Sequence, residues 1–501
     1  MRAVGAMVLC AFLLGASAAA QTATVQKPAA APAPMTKAQG EELLRSVDEI
    51  LQFASKDTHL AIKSPVKRKL LTRAEVGKFL TRKFDEDKGT QRLERSEVIL
   101  KKFGLLDHDF HLRPFLISLL TEQIAGFYDP KTHTVNLLDW VAVEEQKPVL
   151  AHELTHALQD QRVDMEKWSD SLSMATAKTV REDNLHIEAD ESNTARDAVA
   201  EGQAMVVFVD YALKPSGKTL ADSPELGDKM QDLAGDSNGS PLMARAPLLL
   251  QRSLLFPYTQ GLSFEQALLQ YGGADSAFAG ALDHPPGSSH EILHPEEYLA
   301  HLPVAVLAMP DVHPLLDKEW TPLDVGVMGE LDVSITAELF GGKEIAEALA
   351  PSWDGGIYYA AQRRTATTAE QRQKTESVGL MYFSRWKNAD SARSFLRVYS
   401  SQLGRKYTRL KAVATGDDTR QTYETNEGDV VLSLGDKGLF ISEGFDRETA
   451  RKMEEMVRGA QGSGPVKSAV MHEPQALHET AMSLSQWLTG FGLMQSGVTA
   501  K

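Results

Sequence analysis

Apolar and polar positions follow a helical period over the first two thirds of this chain and a period of two in part of the last third. In residues 37–55, Leu43, Leu44, Val47, Ile50 and Leu51 form a stripe at helical spacing, and Thr36 precedes it as a cap. The spacing predicts further helices over 73–86, 90–103 and 113–124. Residues 125–128 and 134–138 then flank Asp129-Pro130-Lys131-Thr132, the signature of a β-hairpin. Helices follow over 148–162, 194–213, 246–255 and 264–271. The Ser-, Asp- and Glu-rich stretch 163–194 carries no apolar period and predicts a long loop of the kind that forms lids.

Past about Gly329 the pattern changes. A helix over 330–349 is followed by strands over 356–361 and 377–386, a helix over 390–403, two or three strands within 407–442 and a helix over 447–459. The run DVVLSLGDKGLFISEGF alternates strictly about a Gly-Asp-Lys-Gly turn. This predicts a second, smaller α+β domain with an open antiparallel sheet.

The chain ends carry different signals. Arg2, an apolar run to Ala16 and small residues after it predict a signal peptide over 1–20, too short to span a bilayer. Residues 21–36 form an Ala/Pro linker. Residues 461–501 predict a linker and an amphipathic tail. The expected divisions are therefore 1–20, 21–36, 37–328, 329–460 and 461–501. The leader points to a periplasmic or secreted protein with no stable membrane span once it is removed. Cys10 is the one cysteine, so the exported chain has no disulfide and must rely on its core. The formal charge of −15 argues against nucleic acid or an anionic membrane as partner.

The chemistry concentrates in PVLAHELTHALQDQR. His152 and His156 stand four apart on a helix, on one face, where two imidazoles can grip one Zn²⁺ ion. Glu153 is then placed to take a proton from a metal-activated water as general base. With 14 histidines in 501 residues, chance supplies roughly 0.03 such motifs, so the match favours a metal site over a decorated surface helix. A catalytic zinc needs a third protein ligand and an open position. Glu201 meets that need by elimination. It interrupts an apolar helix, beside a glycine that admits close packing, whereas the acidic residues of 182–191 have no apolar period to hold them.

HELTHAL, with a glutamate on a downstream helix, resembles the gluzincin metallopeptidases, the thermolysin-like group. Together with GFYDPKTHTVNLLDW, AEGQAM and ILHPEEYL, it is similar to a secreted bacterial gluzincin-like family of poorly defined substrate, over residues 37–300. The resemblance implies a mainly helical zinc-metallopeptidase domain with a small β-hairpin or sheet, cleaving a peptide or protein substrate. It also implies an edge strand before the zinc helix that holds substrate by strand addition, here Val135, Asn136 and Leu137. It sets ILHPEEY near the metal, with His294 or Tyr298 donating to the oxyanion. The chain departs from the thermolysin pattern in two ways. The interval from His156 to Glu201 is longer, and Met205 stands where an aspartate would orient a histidine, leaving Asp160 or Asp197 for that task. The alternative is a non-catalytic binding or assembly factor of the cell envelope that keeps the fold.

Overall fold

Thr36 opens the first helix of the computed structural model, which describes residues 34–85, 87–169, 179–223, 241–413 and 419–461. The expected signal peptide, most of the linker after it and nearly all of the tail lie outside these residues. The Thr36 hydroxyl accepts from the Gln39 N–H while Gln39 answers the Thr36 N–H at 2.9 Å, a reciprocal cap. Helix α1 (Lys37–Thr58) then buries Leu43, Val47, Ile50, Leu51 and Ala54.

Strand β1 (Lys67–Leu71) was hidden in the sequence by its charge. Lys67, Arg68 and Lys69 are exposed, as suits the edge of a sheet. Helices α2 (Arg73–Asp85), α3 (Asp87–Phe103) and α4 (Leu112–Gln123) follow. The expected hairpin forms, β2 (Phe127–Asp129) lying antiparallel to β3 (Thr134–Leu138). Its place in the sheet differs from expectation. The strand order is β1-β3-β2, so β3 is the middle strand. Val135 faces Arg68 on one side and Tyr128 on the other, Asn136 faces Lys69 and Phe127, and Leu137 pairs with Leu70. With β1 covering that edge, Val135, Asn136 and Leu137 offer no free backbone for an added strand.

Helix α5 (Val143–Val163) carries the His-Glu-x-x-His motif and starts five residues before the expected Pro148, which lies inside it. Gln146 fixes its entry. The buried amide accepts from the Leu138 N–H at 2.9 Å and donates to the carbonyls of Leu138 at 2.7 Å and Val141 at 2.9 Å. Helix and sheet are thus joined through one side chain.

Helix α6 (Val180–Leu213) begins 14 residues before the expected 194, capped by Thr179 and Glu182. Most of the stretch expected as a lid is therefore helix, and 170–178 lie outside the described residues. Its polar residues are buried because they have polar partners. Asp183 meets His313 Nε2 at 2.8 Å, Asp190 accepts from the Val327 N–H at 2.7 Å, and Glu191 accepts from the Ser289 N–H at 3.0 Å. The two helices expected over 246–271 are one, α7 (Leu248–Ala274), with Pro257 inside. Phe256, Tyr258 and Leu262 stay buried through the proline, so packing offsets the hydrogen bond lost there.

Two short helices, α8 (Ser289–Leu293) and α9 (Pro295–Leu299), lead to β4 (Trp320–Val327). Helices α10 (Glu330–Gly341) and α11 (Lys343–Leu349) replace one expected helix, because Gly342 turns the chain at φ 92°. Strands β5 (Trp353–Arg363), β6 (Val378–Trp386), β7 (Leu410–Val413), β8 (Arg420–Thr425), β9 (Gly428–Leu434) and β10 (Gly438–Glu443) complete an antiparallel sheet ordered β4-β5-β6-β10-β9-β8-β7. The sheet carries α12 (Ala389–Ser401) and α13 (Arg447–Ala460). The fold is mixed α+β with a seven-stranded antiparallel sheet, and β4 brings residues from before position 329 into it. Among the described residues no helix is long and apolar enough to cross a membrane.

Helices α6 and α7 cross where two glycines meet. A Cβ on Gly202 would lie 2.3 Å from the Gly261 carbonyl oxygen, and one on Gly261 would lie 2.2 Å from that of Ala198. The backbones touch, so any side chain forces them apart. Gly202→Ala or Gly261→Ala should cost about 1–3 kcal/mol in urea denaturation, the scale of overpacking. Gly77→Ala, in α2 with open space around it, should gain about 0.5–1 kcal/mol.

Candidate metal centre

Helices α5 and α6 place three side chains at one point. His152 and His156 point from successive turns of α5, and Glu201 comes from the middle of α6. The His152 and His156 Nε2 atoms are 3.2 Å apart, and Glu201 Oε2 lies 3.2 Å from the first and 3.3 Å from the second. A tetrahedral ion with bonds of about 2.0–2.2 Å separates its ligands by roughly 3.3–3.5 Å. The three donors stand at nearly that spacing. All three residues are buried, as is Glu153. Tyr258 lies along the His152 ring at 19°. The structure brings Glu201 to the two imidazoles, and beside it the Gly202 and Gly261 backbones approach closely.

The chemistry of the donors fits a cation. Gln159 Nε2 donates to the Ala200 carbonyl and to Gln203 Oε1, both at 2.9 Å. Gln203 Nε2 is itself committed to the carbonyls of Ala277 at 2.8 Å and Phe278 at 3.0 Å. Carbonyl oxygens only accept, so both amide orientations are fixed. Gln159 Oε1 therefore faces His156 Nδ1 at 2.9 Å as acceptor, which puts the ring proton on Nδ1. Nε2 keeps its lone pair for a metal. Gln159 thus performs the task expected of Asp160 or Asp197. Asp160 instead accepts from the Tyr128 hydroxyl at 2.8 Å and lies 3.0 Å from His133 Nδ1. The two glutamines were legible only as amides within apolar helices, three residues past His156 and two past Glu201.

Burial and charge act in opposite directions on these groups. Burial alone would raise Glu201, but His156 beside it and hydrogen bonds from both imidazoles outweigh that and hold its carboxyl at about 2. Burial lowers His152. Burial would also lower His156, but the Glu201 charge overrides it and raises that imidazole. Glu153 is pushed up to about 8 by burial, with the Glu201 charge adding to it. One of its oxygens accepts from the Tyr128 N–H at 2.8 Å, and Oε1 is buried with no hydrogen-bond partner. Such an oxygen is expensive to bury and ready to take a proton.

The structure gives His294 and Tyr298 other partners. Tyr298 donates its hydroxyl to the His284 carbonyl at 2.6 Å. His294 joins His290 and Glu330 in a second cluster. Pro295 starts a new helix directly after His294, and the turn there aims the imidazole at the start of α10. Glu330 had no motif to mark it. Among the described residues, these two buried His/His/Glu groups can each hold a metal ion.

No protein-family profile matches the chain, and neither a curated protein nor a solved structure matches it.

Three outcomes are expected for the first centre. Gln159→Ala should weaken metal binding about 10- to 100-fold by freeing the His156 ring, measured by competition against a chelator. Metal affinity should also fall as pH drops through the raised pKa of His156, since the ion must displace that proton. The metal-free chain should show the reverse for His156. Its pairing is fully stabilising below about pH 6.5, its ordinary value, and is lost as pH rises through the raised one. Glu201 contributes above its ordinary 4.5 and loses this as pH falls through about 2. Chelator competition near and above neutral pH, and thermal melts carried down to about pH 2, separate these trends.

Proposed function

We propose that this chain is an exported zinc-dependent peptidase of gluzincin type. The supporting observation is the spacing of His152 Nε2, His156 Nε2 and Glu201 Oε2 at 3.2–3.3 Å, next to a glutamate with an unsatisfied oxygen. Two imidazoles and one carboxylate are a usual catalytic zinc set, and such a set leaves a fourth position for substrate or water. A Zn²⁺ ion held there by His152, His156 and Glu201 would supply Lewis acidity toward a carbonyl and would lower the pKa of a water to roughly 7.

The roles of the chain's own residues follow. A cation at the site would favour the ionised form of Glu153, whose Oε1 would accept the proton of the attacking water while its other oxygen stays anchored on the Tyr128 N–H. The same carboxyl would then pass that proton to the leaving amine. Gln159 and Gln203 keep His156 in one tautomer. The substrate is a peptide or protein, and the leader read in the sequence assigns it to the periplasm or the exterior.

The burial of all four residues favours one other reading. A metal so enclosed also suits a non-catalytic envelope factor that keeps the site for stability. Glu153→Gln separates the two. The peptidase reading expects the variant to retain its metal and to lose turnover by at least about 100-fold on denatured protein and peptide libraries, the lower end of the acid–base contribution. Wild-type chain loaded with zinc that cleaves nothing in those libraries, or a variant within a few-fold of wild type, contradicts it.

A further inference from the structure

The second cluster is a built site. His290 and His294 stand four residues apart across α8 and the turn after it. Glu330 is the first residue of α10. His290 Nδ1 contacts Glu330 Oε2, and His294 Nε2 lies 3.1 Å from both Glu330 oxygens. One ligand atom from each of the three residues lies within 4.8 Å of the others. His290 and Glu330 are buried, and the His294 side chain is 19% exposed, which leaves a path to solvent.

The far side of His290 carries a further signal. Its Nε2 is 3.0 Å from Glu297 Oε2. A carboxylate on the distal nitrogen is how metal-ligating histidines are oriented, since it draws the ring proton away and leaves the other nitrogen basic. Two glutamates on one imidazole also suit a plain ion pair. That pairing needs only one imidazole. His294 brings a second imidazole to the carboxylate that His290 already engages, as a shared cation would require.

We infer that His290 Nδ1, His294 Nε2 and Glu330 form a second divalent-metal site, with Glu297 as the positioning residue for His290. The donor set of two nitrogens and a carboxylate selects Zn²⁺ or a similar borderline ion over Mg²⁺ or Ca²⁺. The contact between His290 and Glu330 opens to admit it. The ion ties α8, and the turn before α9, to the start of α10. That junction is also where Ser289 binds Glu191 of α6, at 3.0 Å through its backbone. The role is to fasten the helical part of the chain to the part that carries the sheet.

Metal content and Co²⁺ spectra of the full exported chain test this apart from the first centre. The His152→Ala/His156→Ala variant should still bind one equivalent of Co²⁺ and show its visible d–d bands. His294→Ala in the wild-type background should lose one equivalent relative to wild type. Glu297→Gln should keep the site but weaken it about 10- to 100-fold. Folding of each variant is checked by near-ultraviolet circular dichroism. The inference is overturned if folded His294→Ala holds as much metal as wild type. It is equally overturned if the His152→Ala/His156→Ala chain binds no Co²⁺. Where His294→Ala does not fold, the second comparison alone decides.

Discussion

The structure depends on one buried carboxylate. Glu201 lies in the interior between two imidazoles, in a helix otherwise lined by alanine, valine and methionine. An isolated ionised carboxylate there would cost far more than a domain's whole stability, so it must be neutralised or share a cation. The protein keeps it charged and supplies two nitrogen donors at metal-ligand spacing. Removing one partner from such a buried set typically costs about 3–5 kcal/mol. The surrounding packing follows from holding this carboxylate in place. Gly202 and Gly261 let α6 and α7 touch directly beside it, and Gln146 pins α5 to the sheet.

The same helix has a second task. The N-terminal half of α6 sends Asp183, Asp190 and Glu191 to His313, the backbone of β4 and Ser289. These are charge-assisted contacts in low-dielectric surroundings, stronger than their exposed counterparts. Helix α6 therefore joins the candidate metal centre to the seven-stranded sheet through polar groups.

That arrangement explains what the sequence did and did not disclose. His152, Glu153 and His156 were legible because the motif needs only helical spacing. Glu201 was legible because a lone carboxylate in an apolar helix demands a partner. The first half of α6 was not, since burial of its acidic residues rests on distant partners in β4 and beside α8. Strand β1 was lost because its three basic residues face solvent, and without β1 the middle strand β3 passes for an edge. The partnership of His294 with Glu330 was not legible, because Glu330 is 36 residues away and carries no pattern. Local periodicity reported the elements well. The long-range polar pairs that set strand order and the second cluster had no local trace.

An anomalous difference map from crystals of the protein, collected at the zinc edge, tests the central claim most directly. The account expects a peak about 2.0–2.2 Å from His152 Nε2, His156 Nε2 and a Glu201 carboxylate oxygen. A map with no peak there from zinc-loaded crystals, or one with the Glu201 carboxylate more than about 3 Å from the ion, would contradict it.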